Sequence, residues 1–473
     1  MFIQTAVSVF FSFCTFAFGF LRVYYFSKHL SMEEFGVLSL LLTVSAFLLY
    51  AFTLGSYQYL FKSVNDGDLA RKTAFWASAL VTISISSVGI LVTYLFIGPI
   101  ASLLNLSAYQ QELKLIVLAT ASTAVMTIFL YYHYGLGRNN FQNFLQFLRG
   151  SLWVIVAILY SYYFNLSLTA ILVTVNLCMC VIILVAVPWK ELSFLFSCRI
   201  HQIGFSKLLG YCVPLFPYFA GVWGIPMIVR TQLNIHEGAK QVAVFSVAYT
   251  LMEIVFMFIS TITSTLSPYF FAEQHNTSKP GLFYNIMLKY SCLSVMLIVP
   301  FIFVLRYDII TLVASEKYRI AGDYIPLLIF FPLLRVLIIV FEQFYLRAAQ
   351  TVYLGIIYAV GIPLSFLLSF LLIPLYSVFG AIYASLASYL FLFACLYFRQ
   401  RRILDIAYLK VPAMLLLGGI ICLTVFALGL IDVLSFYKVI PLGIVMVLSV
   451  AFLPVLSGEE KIKILSLLKI RKK

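Results

Sequence analysis

Apolar residues run along this chain in blocks of membrane length, parted by short polar groups. The blocks are continuous rather than alternating, as in residues 75–97 and 364–373 with their flanks. A strand of a membrane barrel would alternate over about 10 residues, whereas a helix crossing the bilayer core needs about 20 apolar residues in succession. A helix also satisfies its own backbone hydrogen bonds in lipid. The pattern therefore predicts an all-α polytopic membrane protein with about fourteen transmembrane helices. The first six spans fall near 2–26, 36–61, 74–97, 115–136, 144–164 and 168–188. The next six fall near 208–230, 241–271, 286–306, 324–346, 352–374 and 378–398, and two more near 411–431 and 436–456.

The pieces between spans are short. The longest, 98–114, 189–207 and 307–323, leave no room for a soluble catalytic domain. Residues 189–207 follow six spans and precede six more; Phe194, Leu195 and Phe196 beside Lys190, Arg199 and Lys207 read as an amphipathic cytoplasmic linker. The expected organisation is a six-helix lobe at 1–188, the linker, a second six-helix lobe at 208–400, helices 13 and 14 within 401–457, and a basic tail at 458–473. Weak internal symmetry agrees with it. Gly36-Val37 lies 14 residues after Arg22, where the first span closes, and Val244 lies 14 residues after Arg230, where the seventh closes. Two six-helix copies have the same orientation, and parallel repeats are a transporter arrangement with the substrate path between them.

Composition and charge sharpen this picture. Charged residues make up only 10% of the chain and apolar ones 63%, so the net charge of +14 sits almost wholly in loops. One alternate set of loops, with the C-terminal tail, holds about 21 basic residues and the opposite set about 9. Both termini are then expected on the cytoplasmic side. The basic balance is explained by topology and anionic lipid, with no nucleic acid partner implied. The first apolar stretch lacks a basic leader and reaches spanning length, so it is expected to be retained. The 8 cysteines lie nearly all within spans, and Cys178 and Cys180 point apart on a helix, so no metal pair is expected.

Charges inside spans are costly and therefore informative. Arg335 sits near the middle of the tenth span and Glu253 at a similar depth of the eighth, about 17 Å in. Arg335 can pair with Glu253, or with Glu342 two turns below it on the same face. Either pair fixes helix packing, or Arg335 lines a cavity and meets substrate. The carboxylates are equally candidates for coupling to an ion. Arg22 and Arg230 occupy equivalent outer positions; Lys62, Arg149 and Arg347 lie near cytoplasmic ends. Each is a candidate phosphate contact, because arginine offers a planar fork to phosphate oxygens, or a side chain snorkelling to headgroups. The eighth span carries a polar stripe of Ser246, Tyr249, Glu253, Met257, Ser260 and Ser264, with Tyr249 on the expected substrate path. His133, beside Tyr131, Tyr132 and Tyr134, reads as a sugar contact or as part of an interfacial aromatic belt. No metal-ligand spacing, nucleotide loop or cofactor motif is present.

Three stretches carry a resemblance. They are Leu21-Arg22 through Lys28-His29-Leu30-Ser31-Met32-Glu33-Glu34-Phe35-Gly36 with Leu54-Gly55; Leu209-Gly210-Tyr211-Cys212-Val213-Pro214-Leu215-Phe216-Pro217; and Leu371-Leu372-Ile373-Pro374-Leu375-Tyr376-Ser377-Val378-Phe379-Gly380-Ala381 with Lys317-Tyr318 upstream. In this order they resemble the polysaccharide exporter and O-antigen flippase family of the multidrug/oligosaccharidyl-lipid/polysaccharide superfamily. One departure is that Ile228-Val229 precede Arg230, where members often carry an acid.

The resemblance implies a non-enzymatic flippase of the bacterial inner membrane. It would move undecaprenyl-diphosphate-linked oligosaccharide to the periplasmic leaflet for O-antigen, capsule or exopolysaccharide, by alternating access through a cationic cavity. Its implied partners are that lipid, membrane lipid, and a polymerase and chain-length regulator of the same pathway. Helices 13 and 14 would form a groove for the prenyl chain. Two other readings stay open: a cation-coupled drug or metabolite exporter of the same superfamily, which needs intramembrane carboxylates, and a polysaccharide polymerase, which needs a larger outer loop.

Overall fold

The computed structural model describes residues 2–63, 68–189, 205–253, 305–347 and 351–403, with Phe256, Ile298, Ile302 and Phe303. Most of the linker, most of the ninth span, the end of the eighth with Met257, Ser260 and Ser264, helices 13 and 14 and the basic tail lie outside the described residues. So do the side chains of Lys62 and Arg347.

Among the described residues the secondary structure is helical throughout, with no strand. The first half contains α1 (Phe2–His29), α2 (Met32–Thr53), α3 (Ser56–Ser63), α4 (Asp68–Leu95), α5 (Ile97–Leu103), α6 (Gln110–Gly135), α7 (Asn139–Tyr163) and α8 (Leu168–Ala186). The second contains α9 (Phe205–Glu237), α10 (described over 239–253), α11 (Arg306–Val313), α12 (Ile325–Leu328), α13 (Phe330–Arg347) and α14 (Thr351–Ile403). Seven of the described helices are long and apolar enough to cross a bilayer, and a pair bent by 52°, 316–328 with 330–342, makes an eighth. The 53 residues of α14 would reach about 80 Å as one rod, far beyond a bilayer core of about 30 Å. Ser377 breaks it with φ 51° and ψ −126°, which gives the two passes expected at 352–374 and 378–398. The protein is an all-α polytopic membrane protein.

Helix ends follow local chemistry. Ser31 caps α2: its Oγ accepts from the Glu34 amide at 3.1 Å, while the Ser31 amide donates to Glu34 Oε2 at 3.0 Å. This reciprocal pair satisfies two amides that a helix start leaves without partners. The span expected as one helix over 36–61 is broken at Leu54 and Gly55, both left-handed with φ 47° and 72°. Gly55 is required there twice over, by its dihedral and because an added Cβ would stand 2.8 Å from the Phe219 ring. The bend before α13 has a proline cause, since Pro332 cannot donate to the Leu328 carbonyl one turn earlier.

The described residues form two compact units. The first holds α1 to α9 with 239–247, 310–321 and 351–392; the second holds 248–253, 305–309, 322–347 and 393–403. In the first, α6 is the hub, packed against α2, α3, α4 and α8, while α1 lies along α7. Helix α6 is apolar on all sides, as a helix surrounded by others must be. Helix α9 packs on α2 and α3. Gly36 opens α2 so close to α10 that an added Cβ would collide with the Ala239 carbonyl. Asn105, at φ 53°, donates to the Asn234 carbonyl at 2.9 Å, and Asn234 Nδ2 donates to the Leu104 and Asn105 carbonyls at 2.8 and 3.2 Å. This reciprocal amide clamp ties the loop after α5 to the last turns of α9.

Candidate functional site

Arg149 lies ten residues into α7, about 15 Å along the helix from its start. The helix opens at Asn139, five residues before the expected span start at 144, and this added stretch is mostly polar, with Asn139, Asn140, Gln142 and Asn143. Its side chain, that of Arg149, is half-buried. Tyr50 of α2 and Tyr131 of α6 lie within its electrostatic reach. Among the described residues Arg149 has neither a carboxylate nor a hydrogen-bond partner. A cation inside a span without a counter-charge calls for water or an anionic ligand.

An aromatic cluster adjoins it. Tyr50 stacks on Phe219 and Trp223 of α9 at 5.5 and 6.0 Å, with interplanar angles of 15° and 17°. Tyr57 of α3 sits 6.2 Å from Tyr50, 4.5 Å from Tyr131 and 5.8 Å from Phe219. Tyr57 and Phe219 are buried, whereas Tyr50, Tyr131 and Trp223 keep part of their surface accessible. The break at Gly55 turns α3 so that Tyr57 meets this group, and the missing Cβ seats Phe219.

The other expected site residues fall elsewhere. Arg230 is buried at 6% exposure, its Nε donating to Ser246 Oγ at 3.4 Å and its guanidinium 5.7 Å from the Phe245 ring. Neither Arg22 nor Arg230 ends its helix, because α1 runs to His29 and α9 to Glu237. Each arginine stands seven residues before its terminus, so the two positions are equivalent, one helix to the other. Arg22 is half-buried. Lys62 and Arg347 have their backbones in α3 and α13.

In the second unit Arg335 and Glu342 form an ion pair at 3.6 Å, with both residues buried and the guanidinium 5.5 Å from the Phe256 ring. This is the pairing along the helix that the sequence allowed. Glu253 is half-buried, and Tyr249 is buried against Phe331 at 4.8 Å. His133 faces the protein rather than a sugar: it is buried and its Nε2 bonds the Ala186 carbonyl at 3.0 Å, pinning α6 to the end of α8.

Tyr50, Phe219 and Trp223 were not among the expected site residues. One signal was available. Tyr50 and Tyr57 are seven apart, two polar-tipped rings on one side of an otherwise apolar span.

Comparison with known proteins places this arrangement. No curated protein sequence matches the chain. Among solved structures, the lipid II flippase MurJ in an inward closed conformation superposes with a TM-score of 0.68 at 13% identity, covering 95% of this chain and 97% of that one. An inward-facing multidrug resistance MATE family transporter of the MOP superfamily gives 0.63 at 14% identity, with 83% and 97% covered. A MOP superfamily transporter from Pyrococcus furiosus, described as having reversed polarity in its binding pocket, gives 0.58 at 14% identity, with 84% and 94% covered. At these identities the likeness is one of fold, that of the MOP transporters. The model of the family described as "Polysaccharide biosynthesis protein" matches residues 27–323, well over half of the sequence. The chain belongs to the polysaccharide biosynthesis protein family.

Proposed function

We propose that this chain is a flippase for undecaprenyl-diphosphate-linked oligosaccharide. It would carry repeat units from the cytoplasmic to the periplasmic leaflet of the bacterial inner membrane for O-antigen, capsule or exopolysaccharide synthesis, with both termini cytoplasmic. The observation that carries the reading is Arg149, a half-buried cation within α7 without a carboxylate partner among the described residues. An uncompensated charge within a span costs at least about 2.5 kcal/mol. A diphosphate offsets that cost, and the guanidinium fork matches two of its oxygens. The hydroxyls of Tyr50 and Tyr131 stand beside it as further donors. Arg22, Arg230, Lys62 and Arg347 are proposed as further cationic stations on a path between lobes 1–188 and 208–400. The family supports a polysaccharide role, and the MurJ-like fold supports lipid-linked cargo.

The exporter reading requires a carboxylate that takes up and releases a cation. Glu342, the buried one, is engaged by Arg335. That observation favours the flippase.

The test is a deletion of the gene in its host, complemented with wild type, Arg149→Lys or Arg149→Gln. Deletion should accumulate a prenyl-diphosphate oligosaccharide and remove surface polysaccharide. Arg149→Lys should restore part of the flux; Arg149→Gln, present in the membrane at normal level, should restore about a tenth or less, the loss of a charge-assisted phosphate contact. Full restoration by Arg149→Gln takes Arg149 off the path. Unchanged glycan with altered drug sensitivity moves the assignment to the exporter.

A further inference from the structure

We infer that the Tyr50–Trp223 face is a carbohydrate subsite that holds the sugar joined directly to the diphosphate. The inference rests on the flippase reading and adds the part of the substrate that the aromatic residues meet.

Four features support it. Tyr50 and Trp223 are near parallel at 17° and both retain accessible surface, while Phe219 and Tyr57 behind them are buried. The two rings thus form a parallel, partly accessible aromatic stack beside buried ones. A pyranose offers the complement, one side of ring C–H groups with hydroxyls around its rim. Second, the face adjoins the cation through a shared residue: Tyr50 stacks on Trp223 and lies within electrostatic reach of Arg149. A ligand with its phosphate at Arg149 would have its next group over the rings, and in a prenyl-diphosphate glycan that group is a sugar. Third, phenolic hydroxyls frame the place, Tyr131 standing 4.5 Å from Tyr57, ring to ring. These are neutral donors and acceptors suited to sugar hydroxyls. Fourth, the backing is built for the purpose of close approach, since Gly55 gives Phe219 room that any other residue would fill.

Packing between α2 and α9 alone would explain the stacking, and the experiment separates the two. The full chain is purified into lipid nanodiscs, and two probes are titrated: undecaprenyl diphosphate, and the prenyl-diphosphate oligosaccharide extracted from the deletion strain. Trp223→Leu keeps an apolar side chain against Tyr50 but removes the aromatic face; Trp223→Phe keeps a smaller face. Trp223→Leu should bind the glycan-bearing lipid about 2- to 10-fold more weakly, the range of an aromatic contact, and the bare diphosphate as wild type does. Trp223→Phe should recover most of the difference, and Arg149→Gln should weaken both probes. Equal weakening of both probes by Trp223→Leu, or of neither, overturns the subsite and leaves the flippase standing. Wild type that binds neither probe overturns the flippase reading itself.

Discussion

Replacing Glu342 with glutamine takes from Arg335 the carboxylate that faces it, in a place with little water. Arg335 is 8% exposed and Glu342 2%, and their nearest charged atoms are 3.6 Å apart. At an effective dielectric of about 20, two unit charges at that distance attract by about 4–5 kcal/mol. Most of that gain offsets the desolvation of both groups, but the cost for arginine remains once its partner has gone. Breaking a buried pair at one end accordingly costs about 3–5 kcal/mol. Glutamine keeps a hydrogen-bond acceptor, so Glu342→Gln belongs at the lower end, about 3 kcal/mol. Removing both charges is different in kind. Arg335→Met with Glu342→Leu removes both members of this pair and should lie within about 1 kcal/mol of wild type. The assay is thermal unfolding of the purified chain in one detergent, with flipping measured in proteoliposomes. For a chain of this size the single change should lower the midpoint by about 3–6 °C, and the double change should recover most of it. A double variant as unstable as Glu342→Gln would refute the assignment of a packing pair. A double variant that is stable but flips no substrate would return Arg335 to the substrate path, where its position in the sequence first put it.

Two further perturbations test the packing. Gly36→Ala drives a methyl into the Ala239 carbonyl and should cost about 1–3 kcal/mol, read as a lower unfolding midpoint; an unchanged midpoint would mean that α2 and α10 do not meet this closely. Asn234→Ala removes two donations, to Leu104 and Asn105, at about 1 kcal/mol each, and should raise hydrogen exchange in 101–106; unaltered exchange there would show that the amide clamp does not hold the loop.

Much of the fold was legible because lipid leaves the backbone so few choices. Spans such as 115–136 and 168–188 are continuous apolar runs, and each appears as a helix, α6 and α8. The ends were less legible. Hydropathy falls at Arg22 and Arg230, but the helices continue through Val23–His29 and Thr231–Glu237, because polar residues wind a helix as readily as apolar ones once lipid no longer selects them. The break in 36–61 turned on Leu54 and Gly55, where one glycine in an apolar run gives no sign of the ring that will lie against it. The site divides in the same way. Arg149 was visible as a basic residue inside a span, while the tyrosines near it, Tyr50 and Tyr131, came only with the packing. Trp223 was not visible, since what singles it out is Tyr50, a neighbour distant in sequence that only the packing of α9 on α2 supplies. The partner of Arg335 turned on the direction of two long side chains, which spacing leaves open.

Helix α9 has three notches, Pro214, Pro217 and Pro226, each removing a backbone bond from an otherwise regular rod. The first two lie close to one side. Pro226 is nine residues beyond Pro217, and at about 100° per residue that places it half a turn away, on the opposite side. A proline bends a helix away from itself. Bends on opposite sides turn the axis one way and then back, so the two ends of α9 can stay nearly parallel while the middle is displaced sideways. Phe219 and Trp223 lie in that middle stretch. A rod of this form sets Phe219 and Trp223 on an offset middle segment, so the aromatic rings can lie against α2 while the flanking halves of α9 keep a common direction.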